Sequence, residues 1–176
     1  FFNNKWHKKN LAVTMRTPGN DIALTLGFLL AEGIIATTNG IERIEQLEAN
    51  VLMVKFLKTT QVDLTALDRN FYTTSSCGVC GKASIENLAK IACFFPQKDL
   101  PKIASSILLK LPKNLRSNQA VFEKTGGIHA AGLFSQTGIL LDYAEDVGRH
   151  NAVDKLIGNC LQNALMPLRN HILLLS

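Results

Sequence analysis

Cys77 and Cys80, with two residues between them, are the side chains of this 176-residue chain with the widest chemical range. They lie in Thr74-Ser75-Ser76-Cys77-Gly78-Val79-Cys80-Gly81-Lys82-Ala83-Ser84-Ile85-Glu86, where a glycine follows each thiol and small polar residues precede them. A helix-like stretch from Ser84 comes next, so the pattern puts a loose thiol-bearing loop at a helix N-terminus, where the dipole and free N–H groups favour a thiolate. Three chemistries stay open on this spacing. As zinc ligands the pair needs two partners, drawn from His129, His150 or the other cysteines; no second CxxC and no HxxxH accompanies them, so the signal is half a site. As a thiol–disulfide couple they sit in a loop that Gly81 and the serines loosen, whereas redox poise needs a fixed geometry. As a sulfur carrier, one cysteine holds a persulfide that the loop swings between donor and acceptor, with Lys82 and the helix terminus favouring the anion.

Three further polar clusters stand apart from the packing pattern: Arg16 to Asp21, Gly126 to His129 and Glu145 to Asn151. Like the cysteine loop, each falls at a junction between a loop and a regular element, where sites are built on rigid supports. Each also has a plainer reading. His129 among glycines and alanines suits a hydrogen-bonded interior histidine, and Glu145, Asp146, Arg149 and His150 suit a surface salt-bridge loop.

The bulk numbers bound the rest. Apolar residues make up 47% and charged residues 19% of the chain, which places it among globular proteins with a core that needs no disulfides. The formal charge of +5 suits an anionic small ligand or an acidic partner; no long Lys/Arg run with interleaved aromatics points to nucleic acid. The most apolar stretch, Ala23 to Ala36, contains Glu32 and is too short to span a bilayer. No membrane and a cytoplasmic setting are therefore expected, and there cysteines need a reason other than structural disulfides. Cys93 and Cys160 fall in apolar helical patterns and read as core.

Taken in order, Leu11 to Met15 predicts a short strand. Asn20 or Asp21 caps a helix from Ile22 to Glu32, with Ile22, Leu26, Leu29 and Leu30 on one face. Gly27 within that helix signals close packing against another element. Ile41 to Leu64 reads as a small antiparallel sheet, with Val62 and Leu64 framing a second short strand. Helices are expected over Lys82–Ala92, over Leu100–Leu111 with Pro112 as its stop, and over Arg116–Glu123. A strand from Gly126 to Phe134 turns at Gln136-Thr137-Gly138 into a return strand, Ile139 to Tyr143. A polar loop then opens a helix from Ala152 to Leu165, capped by Asn151, with Val153, Leu156, Ile157, Cys160, Leu161 and Ala164 buried. His171 to Leu175 reads as a buried, parallel strand. Alternating strands and helices give an α/β layered domain, and a ligand belongs beyond the carboxyl end of such a strand.

At this point Arg16-Thr17-Pro18-Gly19-Asn20-Asp21, Gly27-Phe28-Leu29, Glu32-Gly33-Ile34-Ile35 and Ser76-Cys77-Gly78-Val79-Cys80-Gly81-Lys82 closely resemble the formate dehydrogenase accessory protein family, FdhD. So do Thr125-Gly126-Gly127-Ile128-His129-Ala130-Ala131 and Glu145 to Lys155. The resemblance implies a sulfurtransferase that accepts persulfide sulfur from a cysteine desulfurase. It then passes the sulfur to the molybdenum bis-guanine-dinucleotide cofactor destined for the formate dehydrogenase catalytic subunit, with guanosine diphosphate as a mimic of the acceptor. It also implies a homodimer and a cytidine-deaminase-like α/β fold with a small β-rich N-terminal part. Residues 1–70 would form the helix and small sheet, and residues 71–176 the deaminase-like domain carrying the CxxC loop. Cys77 matches the persulfide-carrying cysteine, with Cys80 assisting or relaying. For the acceptor's pyrophosphates, Arg16, Lys82, Arg149 and His150 are candidate contacts on physical grounds, with His129 beside them. Glu145 or Asp146 is a more speculative receiver of a guanine edge.

Two departures from related patterns matter. The deaminase fold usually holds zinc through HxE and PCxxC; here His129 is followed by Ala130-Ala131, and Ser75-Ser76 replace the proline before Cys77. Deamination is therefore rejected and no zinc is expected. Family members also continue past the last strand, so the C-terminal part of the family fold is expected to be missing from this chain.

Overall fold

The computed structural model describes residues 6–62, 98 and 101–176. The cysteine loop, Cys93, the expected helix over Lys82–Ala92 and Leu64 of the expected short strand lie outside the described residues; Val62 is not in a strand.

The first helix, α1 (Asp21–Ala31), follows the left-handed Asn20. Asn20 occupies the cap position as expected, but its side chain makes no capping bond. The helix buries two sides, not one: Ala23, Leu24, Leu26, Gly27 and Leu29 are buried while Ile22 stays half exposed. Leu26 and Leu29 pack with Ile35 against Ile41, Ile44, Val54 and Phe56 of an antiparallel hairpin, β1 (Ile41–Glu48) and β2 (Val51–Phe56). The other side lies against a long helix near the end of the chain, α5 (Arg149–Gln162). At that crossing a side chain on Gly27 would overlap the Asp154 carbonyl, and one on Gly158 would overlap the Ala23 carbonyl. Two backbones meet without side chains between them, which accounts for a glycine in mid-helix despite its low propensity.

The second half is a three-stranded sheet between helical layers. Strand β3 (His129–Ser135) is central, flanked by β4 (Leu140–Asp146) and β5 (His171–Leu175), and both pairings are antiparallel. Ala131 and Leu133 of β3 face α5, packing with Ala144, Ala152, Leu156 and Cys160. Ala130 and Phe134 face the opposite way, onto Leu111 and Leu115. This second layer comprises α2 (Ser105–Leu108), α3 (Leu111–Arg116) and, beside them, α4 (Ala120–Thr125).

Several elements differ from the sequence-based expectation for physical reasons. Leu11–Met15 pairs with no strand among the described residues: Asn151 Nδ2 donates to the Met15 carbonyl at 2.7 Å, and Val13 and Met15 are exposed. Pro112 opens α3 in its first turn instead of ending a helix over Leu100–Leu111, because a missing N–H costs nothing there. The expected Arg116–Glu123 helix is divided between α3 and α4, since Glu145 caps the chain at Val121 and Phe122. Strand β4 runs on to Asp146 and α5 starts at Arg149, with Gly148 in the cap position and Asn151 turned inward. Ala164 is exposed and left-handed, past the helix end. Strand β5 runs parallel to β4 but bonds antiparallel to β3, and Leu173 and Leu175 are half exposed. An apolar run alone does not fix strand direction.

Candidate functional site at the carboxyl ends of β4 and β5

Three of the four polar clusters meet at one end of the sheet. Strand β3 begins there with His129, whose register partner on β4 is Asp146. Ser176 follows β5 at the same end: its hydroxyl accepts from the Ala130 N–H at 2.9 Å, and its carbonyl lies 2.9 Å from His129 Nδ1. The first turn of α5 rises beside Asp146 and carries Arg149 and His150, both exposed.

Asp146 is the fastening point. Its carboxylate is fully buried and accepts from Gly148 N (2.9 Å) and Asn151 Nδ2 (3.0 Å) on one oxygen. The other oxygen takes Thr17 N at 3.0 Å and the Lys155 ammonium at 2.7 Å. Lys155 is itself buried and also donates to the Thr17 carbonyl at 2.7 Å. Val147 N donates to Thr17 Oγ1 at 2.9 Å and Thr14 Oγ1 to Asn151 Oδ1 at 3.2 Å. The Arg16–Asp21 and Glu145–Asn151 clusters are thus one knot, in which both Asp146 oxygens and the Lys155 ammonium are partnered as a dry interior requires, while Asp21 Oδ1 is buried with no partner among the described residues.

Each expected site residue can now be placed. Arg16 is mostly covered and holds Asp21 at 2.7 Å, with longer bonds to the hairpin turn at Ala49 and Asn50. Arg149 and His150 point to solvent from a helix start whose first turn has no acidic residue. His129 is half-buried against Ser176. Glu145 is occupied as a two-pronged cap on α4, accepting from Val121 N at 3.0 Å and Phe122 N at 2.9 Å. Asp146 is buried in its knot, whereas Glu145 is half-buried with one backbone N–H on each oxygen. Cys77, Cys80 and Lys82 lie outside the described residues. Cys160 is core as expected, and burial, with Asp142 nearby, pushes its thiol up to about 11, so it stays protonated and unreactive.

Sequence reasoning missed Lys155 and Gln119. A signal for Lys155 was present: it falls on the stripe Ala152, Lys155, Leu156, Asn159, Cys160, where a lysine needs a buried acid. Nothing local marks Gln119, which is buried after α3 with a side-chain nitrogen that has no partner among the described residues.

Comparison with known proteins agrees with this arrangement of motifs. The sequence pattern of the FdhD/NarQ family matches residues 3–176. The chain belongs to that family. A relative from Streptomyces coelicolor named sulfur carrier protein FdhD is 46% identical over 179 residues, covering 96% of this chain and 63% of its own length. One of the same name from Mycolicibacterium paratuberculosis is 47% identical, covering 94% and 64%. A Sulfolobus acidocaldarius relative, also so named, is 42% identical, covering 97% and 63%. The chain thus spans a little under two thirds of the length of these relatives. A solved structure described as a formate dehydrogenase accessory protein from Desulfotalea psychrophila is similar in fold, with a TM-score of 0.60 and 24% identity. It covers 93% of this chain and 57% of its own. This FdhD/NarQ chain has a mixed α/β fold, and no helix among its described residues is long and apolar enough to cross a membrane.

Proposed function

We propose that this chain carries sulfur as a persulfide on Cys77 and delivers it to the molybdenum bis-guanine-dinucleotide cofactor of formate dehydrogenase. The observation that carries the reading is the CxxC loop in a chain 46% identical to a relative named a sulfur carrier. In the loading step the Cys77 thiolate attacks the terminal sulfur of a cysteine desulfurase persulfide. The donor's S–S bond breaks, the desulfurase cysteine leaves as a thiolate, and the new terminal sulfur on Cys77 holds the negative charge. The positive charge of Lys82 favours that anion, and Cys80 assists or relays.

The site at the sheet end supports an anionic acceptor. Arg149 and His150 stand where a helix dipole disfavours cations unless an anion joins them, and the N–H groups of the first turn of α5 add donors. Arg16 acts mainly by holding Asp21 and the loop before α1, so it positions that loop more than it meets phosphate. The order β4-β3-β5, with α5 crossing from β4 to β5, supports a cytidine-deaminase-like layering. A homodimer acting with the desulfurase and the formate dehydrogenase catalytic subunit completes the reading.

The test is activation of cofactor-bound formate dehydrogenase by the wild type and by single Cys77→Ala and Cys80→Ala variants. Loss with Cys77→Ala and a smaller loss with Cys80→Ala are expected. Full activation by a double variant would instead make the protein a cofactor-holding chaperone.

A further inference from the structure

The helical layer over Ala130 and Phe134 carries most of the chain's surplus charge. Between residues 101 and 125 stand Lys102, Lys110, Lys113, Arg116 and Lys124 against Glu123 alone, an excess of four in a chain whose formal charge is +5. All five cations are exposed, and none is ion-paired among the described residues. The backbone stays right-handed through Leu109 (φ −64°, ψ −20°) and Lys110 (φ −90°, ψ −21°), so α2 runs almost directly into α3. Along this ramp Ile107, Leu111 and Leu115, spaced four apart, pack toward the sheet. Leu109, Lys113 and Arg116 then fall on the opposite side, toward solvent.

Apolar side chains stand among these cations. Leu109 is 81% exposed, and Leu108 beside it is also exposed. Ile139, 63% exposed, joins them at the β3–β4 turn, where Gly138 lies against Ile107. An apolar centre inside a charged rim is the anatomy of a protein-docking surface. A rim of one sign specifies the opposite sign on the partner. A second copy of this chain does not fit, because a two-fold contact through this face would set like charges against each other. The turn end also lies at the far end of β3 from His129, so a partner seated here leaves the carboxyl ends of β4 and β5 open.

We propose that this face docks the protein that donates the sulfur, through an acidic surface of that partner. Leu109 and Ile139 are covered in the encounter, while Lys102 and Lys110 meet carboxylates at its rim. Formate dehydrogenase has to approach the acceptor end to take up the cofactor, so the turn end is the one left for the donor. The donor's identity as a cysteine desulfurase rests on the preceding reading; the surface and the sign of its charge do not.

Fluorescence anisotropy of the amino-terminally labelled protein, titrated with a cysteine desulfurase in the absence of cysteine, tests it. The wild type is expected to bind, and to bind more weakly as salt rises. Lys102→Glu with Lys110→Glu is expected to weaken binding about tenfold at low salt, the difference narrowing at high salt. Leu109→Ser should weaken it about tenfold at every salt concentration. All three side chains are exposed, so melting temperatures should match the wild type. The variants should also take up sulfur from glutathione persulfide at the wild-type rate. Unchanged affinity in the charge-reversal variant would overturn the proposal, as would no binding by the wild type, or slower uptake from glutathione persulfide. Variants that lose binding only to formate dehydrogenase, or only to phosphatidylserine vesicles, would overturn it too. Desulfurase binding through this face without sulfur on Cys77 would sink the sulfur relay and leave the face standing; wild-type sulfur transfer from the desulfurase to the charge-reversal variant would do the reverse.

Discussion

At the scale of single residues, two acids, the buried Asp146 and the half-buried Asp154, behave in opposite ways. Asp146 is met by four donors, among them the buried Lys155 ammonium. Removing one partner of such a pair strands the other charge, so Lys155→Met should cost about 3–5 kcal/mol, read from urea denaturation midpoints. Asp154 has no such compensation: burial, with Glu32 adding repulsion, pushes its carboxyl up to about 7. Its folded pKa lies above its unfolded value, so the folded state holds the extra proton between about pH 4 and 7. Stability from this group is therefore present at the acid end of that window and falls as pH rises through it. Asp154→Asn should flatten that slope and raise the melting temperature at pH 8 by a few degrees, about 1 kcal/mol in a domain of this size. An unchanged pH profile would contradict the assignment.

At the scale of elements, the α1–α5 crossing ties the first part of the chain to the second. Gly27 and Gly158 each face a carbonyl of the opposite helix, so the helices touch through backbone. By propensity alone, glycine to alanine inside a helix is stabilising by up to about 1 kcal/mol. Here the added methyl has no room, so Gly27→Ala and Gly158→Ala should each destabilise by about 1–3 kcal/mol in thermal or chemical denaturation. The glycine in α1 was legible as a packing signal because its helical surroundings were strong; its partner was not. The β1–β2 hairpin, the β3–β4 turn and the body of α5 were legible from alternation, turn residues and an apolar stripe. Pro112 was misleading because proline ends one helix as readily as it begins another, and only the tertiary setting of α3 decides. The direction of β5 was hidden for a related reason, since a continuous apolar run has no face.

At the scale of the whole molecule, three motifs far apart in sequence converge on one sheet end through contacts that no spacing rule reports. Their presence was readable as four polar clusters; their union depends on Asp146 reaching Thr17 and Lys155. Local patterns reveal amphipathic faces, whereas a knot of buried charge exists only once the elements have packed. The convergence leaves Arg149 and His150 exposed at a helix start, the face proposed to receive the acceptor. The central claim concerns the thiol that meets it. The direct measurement is intact-mass spectrometry after incubation with a cysteine desulfurase and cysteine. The account predicts a cyanide-labile mass gain of sulfur in the wild type and in Cys80→Ala, absent from Cys77→Ala. A wild-type protein that gains no sulfur, or a Cys77→Ala protein that gains as much, would contradict it.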